Sequence, residues 1–435
     1  MTNPRVLTVT ALHKIRKEGA YANILTNEML SQNNLVRLDA AMFTDLVHGT
    51  TRYRRYLDYL IEFCANRPIA EIEDQLVNIL QFSLYSYLIR AKPQHAVVNE
   101  GVETAREIIG ERSVGFINAI LRKVVSKSKS DWDDEISNQL SGIDLLGTIY
   151  SMPNWIVEYF QKQVSNEREL IVLLQSLNLS PVPTFLRPPN QRVNELNLIP
   201  GNWSPFGYFE SKRGDLQRKL LESRLVIQDE GSQLVALALI SAEIVGSDTS
   251  WLDMTAGPGG KTAFLAAAAR SRKATLVANE LHPHRAKLIE NTLQRLDLRA
   301  DVQVGDALNQ AWSAQFDRVL LDAPCTGLGA LRRRAESRWR KTPADLIELV
   351  DLQKKLLSKA VQAARSGGIV GYTTCSLHPR ETEEVVNFIA KTHRVQILNA
   401  PMHLPGIPME DSPFIKLWPH RHGTDGMFMA LLQVG

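Results

Sequence analysis

Apolar positions recur at helical spacing through the first quarter of the chain. Leu76, Ile79, Leu80, Leu84, Tyr87 and Leu88 share one face, as do Phe116, Ile117, Ile120, Leu121 and Val124. Offsets of three and four line residues up along one stripe of an α-helix, so the chain up to about Val125 is predicted to be all-helical. Serines, lysines and acids over 126–135 break the periodicity, which predicts a linker and a domain boundary near 130–145. From 154 the signals mix. A helix from Trp155 gives way to Pro181, Pro183, Pro188 and Pro189, which bar a helix interior and favour a loop or an edge strand. A small α+β unit is expected there.

After Gln228 the pattern changes to short apolar runs at 251–254, 274–279, 302–304, 318–321 and 368–373, separated by helical stretches. That alternation predicts βαβ units, a mostly parallel sheet and helices on both faces. Before the fifth run, Leu346, Leu349, Val350, Leu357, Ala360, Val361 and Ala364 form a buried stripe that Ser366, Gly367 and Gly368 should stop. Runs at 414–418 and 427–433 read as a closing hairpin. The expected fold is multidomain: an all-α domain over 1–140, a small α+β domain over 150–225, and an α/β Rossmann-like domain over 226–435.

Composition narrows the class. The 435 residues are 44% hydrophobic, enough for sizeable cores. The first twenty residues mix Lys14, Arg16, Lys17 and Glu18, and no apolar run approaches the ~18 residues of a membrane span. A cytoplasmic protein with no membrane partner is expected. Three cysteines without metal-ligand spacing predict neither a disulfide framework nor a metal site, and Cys64, in a helical apolar stretch, is expected in the core. The net charge of +3 decides nothing about nucleic acid.

Candidate chemistry clusters at predicted strand ends, where an open α/β sheet binds its ligands. Four ends carry an acid: Asp253, Glu280, Asp306 and Asp322. After Asp253 the run Thr255, Ala256, Gly257, Pro258, Gly259, Gly260, Lys261 lets backbone approach a ligand. It matches neither the dinucleotide fingerprint nor a P-loop, so a nucleoside without phosphates fits better. Glu280 is placed to accept from ribose hydroxyls and Asp306 from an adenine amino group. A single strand-end acid is more often a helix cap, but four around one glycine-rich turn favour a ligand. Cys325 follows the same predicted strand as Asp322, and Cys375 follows the fifth. A lone cysteine is usually a small buried hydrophobe, whereas two at ligand-side strand ends point to a thiolate working beside a bound cofactor.

With these residues in view, the segments 228–233, 253–262, 316–329, 338–343, 372–377 and 422–426 resemble the S-adenosylmethionine-dependent RNA cytosine-5 methyltransferases. The branch most similar is that of the bacterial 16S ribosomal RNA enzymes with a NusB-like N-terminal domain, whose last helix the segment 115–122 resembles. The resemblance implies a class I methyltransferase domain at the C-terminus and S-adenosylmethionine bound by Thr255, Ala256, Gly257, Pro258, Gly259, Gly260, Lys261, Glu280, Asp306 and Asp322. It also implies Cys375 as nucleophile, Cys325 as the group assisting product release, and Asp322 acting at the base; spacing alone does not say which cysteine attacks. The chemistry needs a thiolate because cytosine C5 is too weak a nucleophile until a sulfur adds at C6. Two departures stand out: Thr255, Ala256, Gly257 where the family has Cys-Ala-Ala, and Thr382 between Glu381 and Glu383 where it often has asparagine.

Arg332, Arg333, Arg334, Arg338, Arg340 and Lys341, with Trp339 among them, follow the Cys325 turn against the single acid Glu336. The run reads as an RNA contact, phosphates on arginine and bases on Trp339, more readily than as a solvated helix face. An RNA-binding monomer is expected. Transfer RNA as substrate and a non-catalytic RNA-binding scaffold are the alternatives.

Overall fold

The computed structural model describes residues 3–189, 198–210 and 224–435. It divides into two compact units: the chain up to Ser180 together with Leu331–Lys341, and Pro181–Ala330 together with Thr342–Gly435.

The first unit is helical. The helices Arg54–Ala65, Asp74–Leu88 and Val114–Val125 bury Tyr56, Leu57, Leu60, Ile79, Leu80, Leu84, Ile117 and Leu121 against one another, as the periodicity requires. Cys64 lies in that core, and burial pushes its thiol up to about 11. The expected linker is instead the helix Lys129–Gln139. Ser128 and Asp131 form a reciprocal capping box at its start. Trp132 and Ile136, one turn apart, are buried, and Trp132 Nε1 donates to the Val124 carbonyl at 2.9 Å. Two apolar residues hold this helix, too few to show as a stripe. The unit ends not near 140 but after the helices Asn154–Gln161 and Glu167–Asn178.

The second unit carries two sheets among its described residues. Strands β1 (Thr184–Leu186), β2 (Leu198–Pro200), β3 (Gly207–Glu210) and β4 (Val226–Ile227) form a small antiparallel sheet in the order β2-β3-β1-β4. The larger sheet contains β5 (Ser250–Asp253), β6 (Thr275–Glu280), β7 (Asp301–Val304), β8 (Phe316–Asp322), β9 (Ala364–Thr374), β10 (Val395–Leu398) and β12 (Met427–Val434), in the order β10-β12-β9-β8-β5-β6-β7. β11 (Ile415–Leu417) pairs antiparallel with β12, the expected hairpin. β5 to β9 run parallel and β12 returns antiparallel beside β9. The central β8 is buried residue after residue from Phe316 to Leu321, as a strand covered on both faces must be. The helix Pro343–Ala363 stops before the glycines, and β9 runs through them, with Gly367 at φ 75°.

Among the described residues no helix is long and apolar enough to cross a membrane, and no group of three His, Cys, Asp or Glu side chains is placed to hold a metal ion.

Candidate active site

Strand register decides which side chains meet. Parallel pairing of β8 with β9 sets Asp322 opposite Thr373, so the turns that follow leave the sheet at the same edge. Cys325 Sγ and Cys375 Sγ stand 3.3 Å apart there. The contact to Cys375, burial, and the nearby Glu381 and Asp322 carboxylates hold the Cys325 thiol well above its ordinary range. Cys325 is therefore a neutral thiol near pH 7, able to donate S–H to the neighbouring sulfur. Gly327, at φ +76°, would place a side chain 4.0 Å from Cys375 Sγ, so its bareness keeps the space over that sulfur open.

One layer across, the glycine-rich turn links β5 to the helix Gly260–Arg272. The Thr255 hydroxyl donates to the Asp322 carbonyl at 2.9 Å, the Ala256 N–H to the Asn279 carbonyl at 2.8 Å, and Pro258 and Gly259 complete the turn. Lys261 Nζ reaches Asp322 Oδ2 at 2.7 Å. Burial pulls the Lys261 ammonium toward neutrality, but Asp322, with Cys375 and Asp253 beyond it, more than reverses this and raises its pKa. Lys261 thus belongs to the same cluster as the cysteines, not only to the loop.

Glu280, at the end of β6, is buried and accepts from the Gly257 N–H and the His282 N–H, each at 3.0 Å. A Cβ on Gly257 would lie 2.1 Å from Glu280 Oε2, so glycine is required for that approach. Asp253 is 1% exposed; its Oδ2 accepts from Thr262 Oγ1 at 2.7 Å while Oδ1 closes no hydrogen bond. Burial pushes its carboxyl up to about 7. Asp306, after β7, is exposed and accepts from the Leu308 N–H at 3.0 Å and from Asn309 Nδ2 at 2.9 Å, the cap of a short turn.

Sequence reasoning missed the brace under the two cysteines. Glu381 is wholly buried; its carboxylate accepts from the Thr326 N–H at 2.7 Å, from the Thr326 hydroxyl, and from Gln353 Nε2 at 3.1 Å. Gln353 also donates to the Pro324 carbonyl at 2.8 Å, and the Tyr372 hydroxyl to the Glu381 carbonyl at 2.6 Å. One carboxylate thereby ties the Cys325 turn to the segment after Cys375. The available signal was an acid standing six residues past Cys375. The helix neighbour that varies, Thr382, is not part of this brace.

The basic run calls for a correction. Leu331–Lys341 belongs to the helical unit, where Arg338 is 0% exposed. Its guanidinium donates to Asn178 Oδ1 at 2.8 Å and to the carbonyls of Ser151, Arg52, Leu177 and Leu331 at 3.1, 3.2, 3.3 and 3.4 Å. A side chain so enclosed cannot reach a phosphate. Arg332 is buried as well, and Trp339 donates its indole N–H to the Thr51 carbonyl at 2.7 Å. Arg333 is half-buried; Arg334 and Arg340 are exposed, Arg340 lying over the Tyr21 ring at 4.1 Å.

Comparison with known proteins agrees with this architecture. The family described as "16S rRNA methyltransferase RsmB/F" matches residues 242–433, and the NusB family matches residues 2–126. A protein of Mycobacterium tuberculosis named as a methyltransferase is 38% identical over 437 residues, covering 97% of this chain and 94% of its own. Ribosomal RNA small subunit methyltransferase B of Cronobacter sakazakii is 28% identical, covering 99% of this chain and 98% of its own. Among solved structures, a methyltransferase homolog from Pyrococcus horikoshii shares the fold with a TM-score of 0.52 at 23% identity, covering 68% of this chain and all of its own.

Proposed function

Because the chain belongs to the RsmB/F family of S-adenosylmethionine-dependent ribosomal RNA methyltransferases, with a NusB-family domain at its N-terminus, we propose that it methylates C5 of a cytosine in 16S ribosomal RNA through a covalent bond from Cys375 to C6. The observation that carries this reading is the pair of sulfurs, 3.3 Å apart at two adjacent strand ends and beside the Lys261–Asp322 ion pair.

The turn after β5 suits S-adenosylmethionine. Gly257 lets the Glu280 carboxylate come up against the turn, Asp253 Oδ1 is buried and closes no hydrogen bond, and Glu280, which also pairs with Arg285 Nη1 at 3.5 Å, keeps lone pairs beyond its two backbone donors. The bound cofactor supplies an electrophilic methyl group on a sulfonium. Residues 255–261, Glu280, Asp306 and Asp322 are the groups that would hold it.

The protein's own residues supply the rest. Cys375 adds to C6 as its thiolate, and the displaced C5–C6 π pair is shared between C5 and N3, where a proton shared with Asp322 neutralises it and returns to Asp322 when C5 takes the methyl group. Lys261 keeps positive charge beside that carboxylate throughout. After C5 has taken the methyl group, loss of the C5 proton returns the pair and breaks the bond to Cys375 sulfur. Cys325 is the group that assists this release: as the C6–S bond breaks, its thiol, 3.3 Å away, gives its proton to the departing Cys375 sulfur and takes up the C5 proton in its place. Glu381 positions both sulfurs. A base inside folded RNA would have to be unstacked to reach them.

Bisulfite sequencing of ribosomal and transfer RNA from cells with and without the protein tests this. A 16S cytosine that loses protection with the protein is expected. Loss confined to transfer RNA, or at no cytosine, overturns the assignment.

A further inference from the structure

The helical unit holds a cavity of about 170 Å³ lined by Ile15, Arg16, Arg54, Glu336, Trp339 and Arg340, among others. Glu336 is 1% exposed and neither of its carboxylate oxygens closes a hydrogen bond of ordinary geometry, although its own backbone N–H, that of Ala22 and the Arg334 and Arg340 charges lie close enough to favour its ionised form. Arg16 Nη1 is likewise buried without a partner. Buried polar groups are nearly always satisfied, because an unpaired one forfeits its hydration for nothing. Two orphan acceptors on the wall of one cavity mark a place for a ligand with two donors.

The charge around the cavity selects the ligand. Arg16, Lys17, Arg54 and Arg340 all line it; Asp74 pairs with Arg16 and Lys17 and Asp58 with Arg54 from outside the lining, so cations still outnumber the one carboxylate on the wall, which disfavours an amine or guanidinium. What fits is a neutral pair of N–H donors attached to an anion. Among RNA bases guanine alone presents two adjacent donors, N1–H and N2–H, on one edge, the complement of a carboxylate. Trp339, with the Arg54 guanidinium 5.8 Å from its ring centroid, adds the planar surfaces on which unpaired bases stack.

We propose that this cavity binds the base of an unpaired guanine nucleotide in RNA, with Glu336 reading N1–H and N2–H and Arg16 and Lys17 facing its phosphate. The site is separate from the methylation chemistry and does not depend on it. It also gives the segment 331–341 a role in RNA recognition different from the phosphate strip its arginines suggest.

Calorimetry on the full chain without S-adenosylmethionine tests it, using guanosine, inosine and adenosine monophosphates. Guanosine monophosphate is expected to bind about tenfold to a hundredfold tighter than adenosine monophosphate, the discrimination of a bidentate contact. Inosine, lacking N2–H, should fall between. Saturating S-adenosylhomocysteine should not displace the guanine nucleotide, and Glu336→Gln should abolish the preference. Equal affinity for guanosine and adenosine monophosphates, displacement by S-adenosylhomocysteine, or a preference surviving in Glu336→Gln would each overturn the proposal. Should Glu336→Gln fail to fold, the guanosine-to-inosine ratio on the unaltered chain decides alone. An oligouridylate bearing one guanine, compared with one bearing adenine, separates the sources: guanine-dependent binding is expected, and its absence alongside tight mononucleotide binding would assign the cavity to a free nucleotide and overturn the RNA assignment. All of these readouts leave the bisulfite result untouched.

Discussion

Cys325 and Cys375 hold their sulfurs 3.3 Å apart from two different strand ends, fifty residues apart in sequence. That contact, burial and the neighbouring Glu381 and Asp322 carboxylates hold the Cys325 thiol well above its ordinary range. Cys375→Ala is expected to abolish methyl transfer with no protein–RNA adduct. Cys325→Ala should still attack and methylate but release slowly, so cross-linked RNA accumulates on a denaturing gel when cofactor is present. The reverse pattern would exchange the two roles.

Glu381 fixes that geometry from below. Its replacement by Ala leaves the Thr326 N–H and hydroxyl and Gln353 without their acceptor, at a cost of about 3 kcal/mol or more of stability. Glu381→Gln keeps one carbonyl acceptor. It should therefore keep S-adenosylmethionine affinity, measured by calorimetry, while turnover falls and adduct release slows. A Glu381→Gln enzyme with full turnover would mean that the brace does not position the cysteines.

Asp253 gives the second unit a pH dependence. Its carboxyl is raised from 3.8 to about 7, with burial as the main cause. The folded state therefore binds this proton more tightly than the unfolded chain. The stabilising protonation is fully present below 3.8 and is lost as pH rises through about 7. Asp253→Asn, which mimics the neutral form and can still accept from Thr262, is expected to be more stable than the parent at pH 8 by on the order of 1–3 kcal/mol, with the difference shrinking toward pH 4. Thermal unfolding at the two pH values reads this directly. A difference that grows on acidification would show Asp253 to be ionised in the native protein.

Much of the second unit was legible because its parallel strands carry short apolar stretches, such as 251–252, 319–321 and 369–370, and each is ended or closely followed by an acid or a cysteine. The sequence places Cys325, Cys375, Asp322 and Glu280 at one sheet edge, and they are found there. What was not legible depends on contacts remote in sequence. The helix Lys129–Gln139 rests on Trp132 and Ile136 alone, and Glu381 gives no hint of Thr326, fifty-five positions earlier. The basic run misled for a related reason: charge suggests exposure, whereas a guanidinium can be buried wherever backbone carbonyls converge to receive it.

Arg338 makes that last point testable. Burial draws its guanidinium down to about 9, leaving it charged at neutral pH, with five acceptors around it. Arg338→Ala should destabilise the helical unit by roughly 3–5 kcal/mol, since the converging carbonyls lose their donor. Arg338→Lys should rescue little of this, because one ammonium cannot span the fork. A mild loss of RNA affinity with a shallower salt slope and unaltered melting would instead mark it as a phosphate contact.

The cofactor loop and Glu280 form one unit, so two different substitutions should give one phenotype. Glu280→Ala removes the acceptor for the Gly257 and His282 N–H groups along with any contact the carboxylate makes to the ligand. A loss of about 1–3 kcal/mol in S-adenosylmethionine affinity is expected, the value of a charge-assisted hydrogen bond. Gly257→Ala leaves Glu280 in the chain but sets a methyl group 2.1 Å from Oε2, a distance no real contact tolerates. The carboxylate must then move, and affinity should fall by a similar amount. Calorimetry without RNA measures both. Full affinity in Glu280→Ala would remove Glu280 from the site, whereas a loss in Glu280→Ala with full affinity in Gly257→Ala would show that the carboxylate acts on the ligand without needing the loop to hold it.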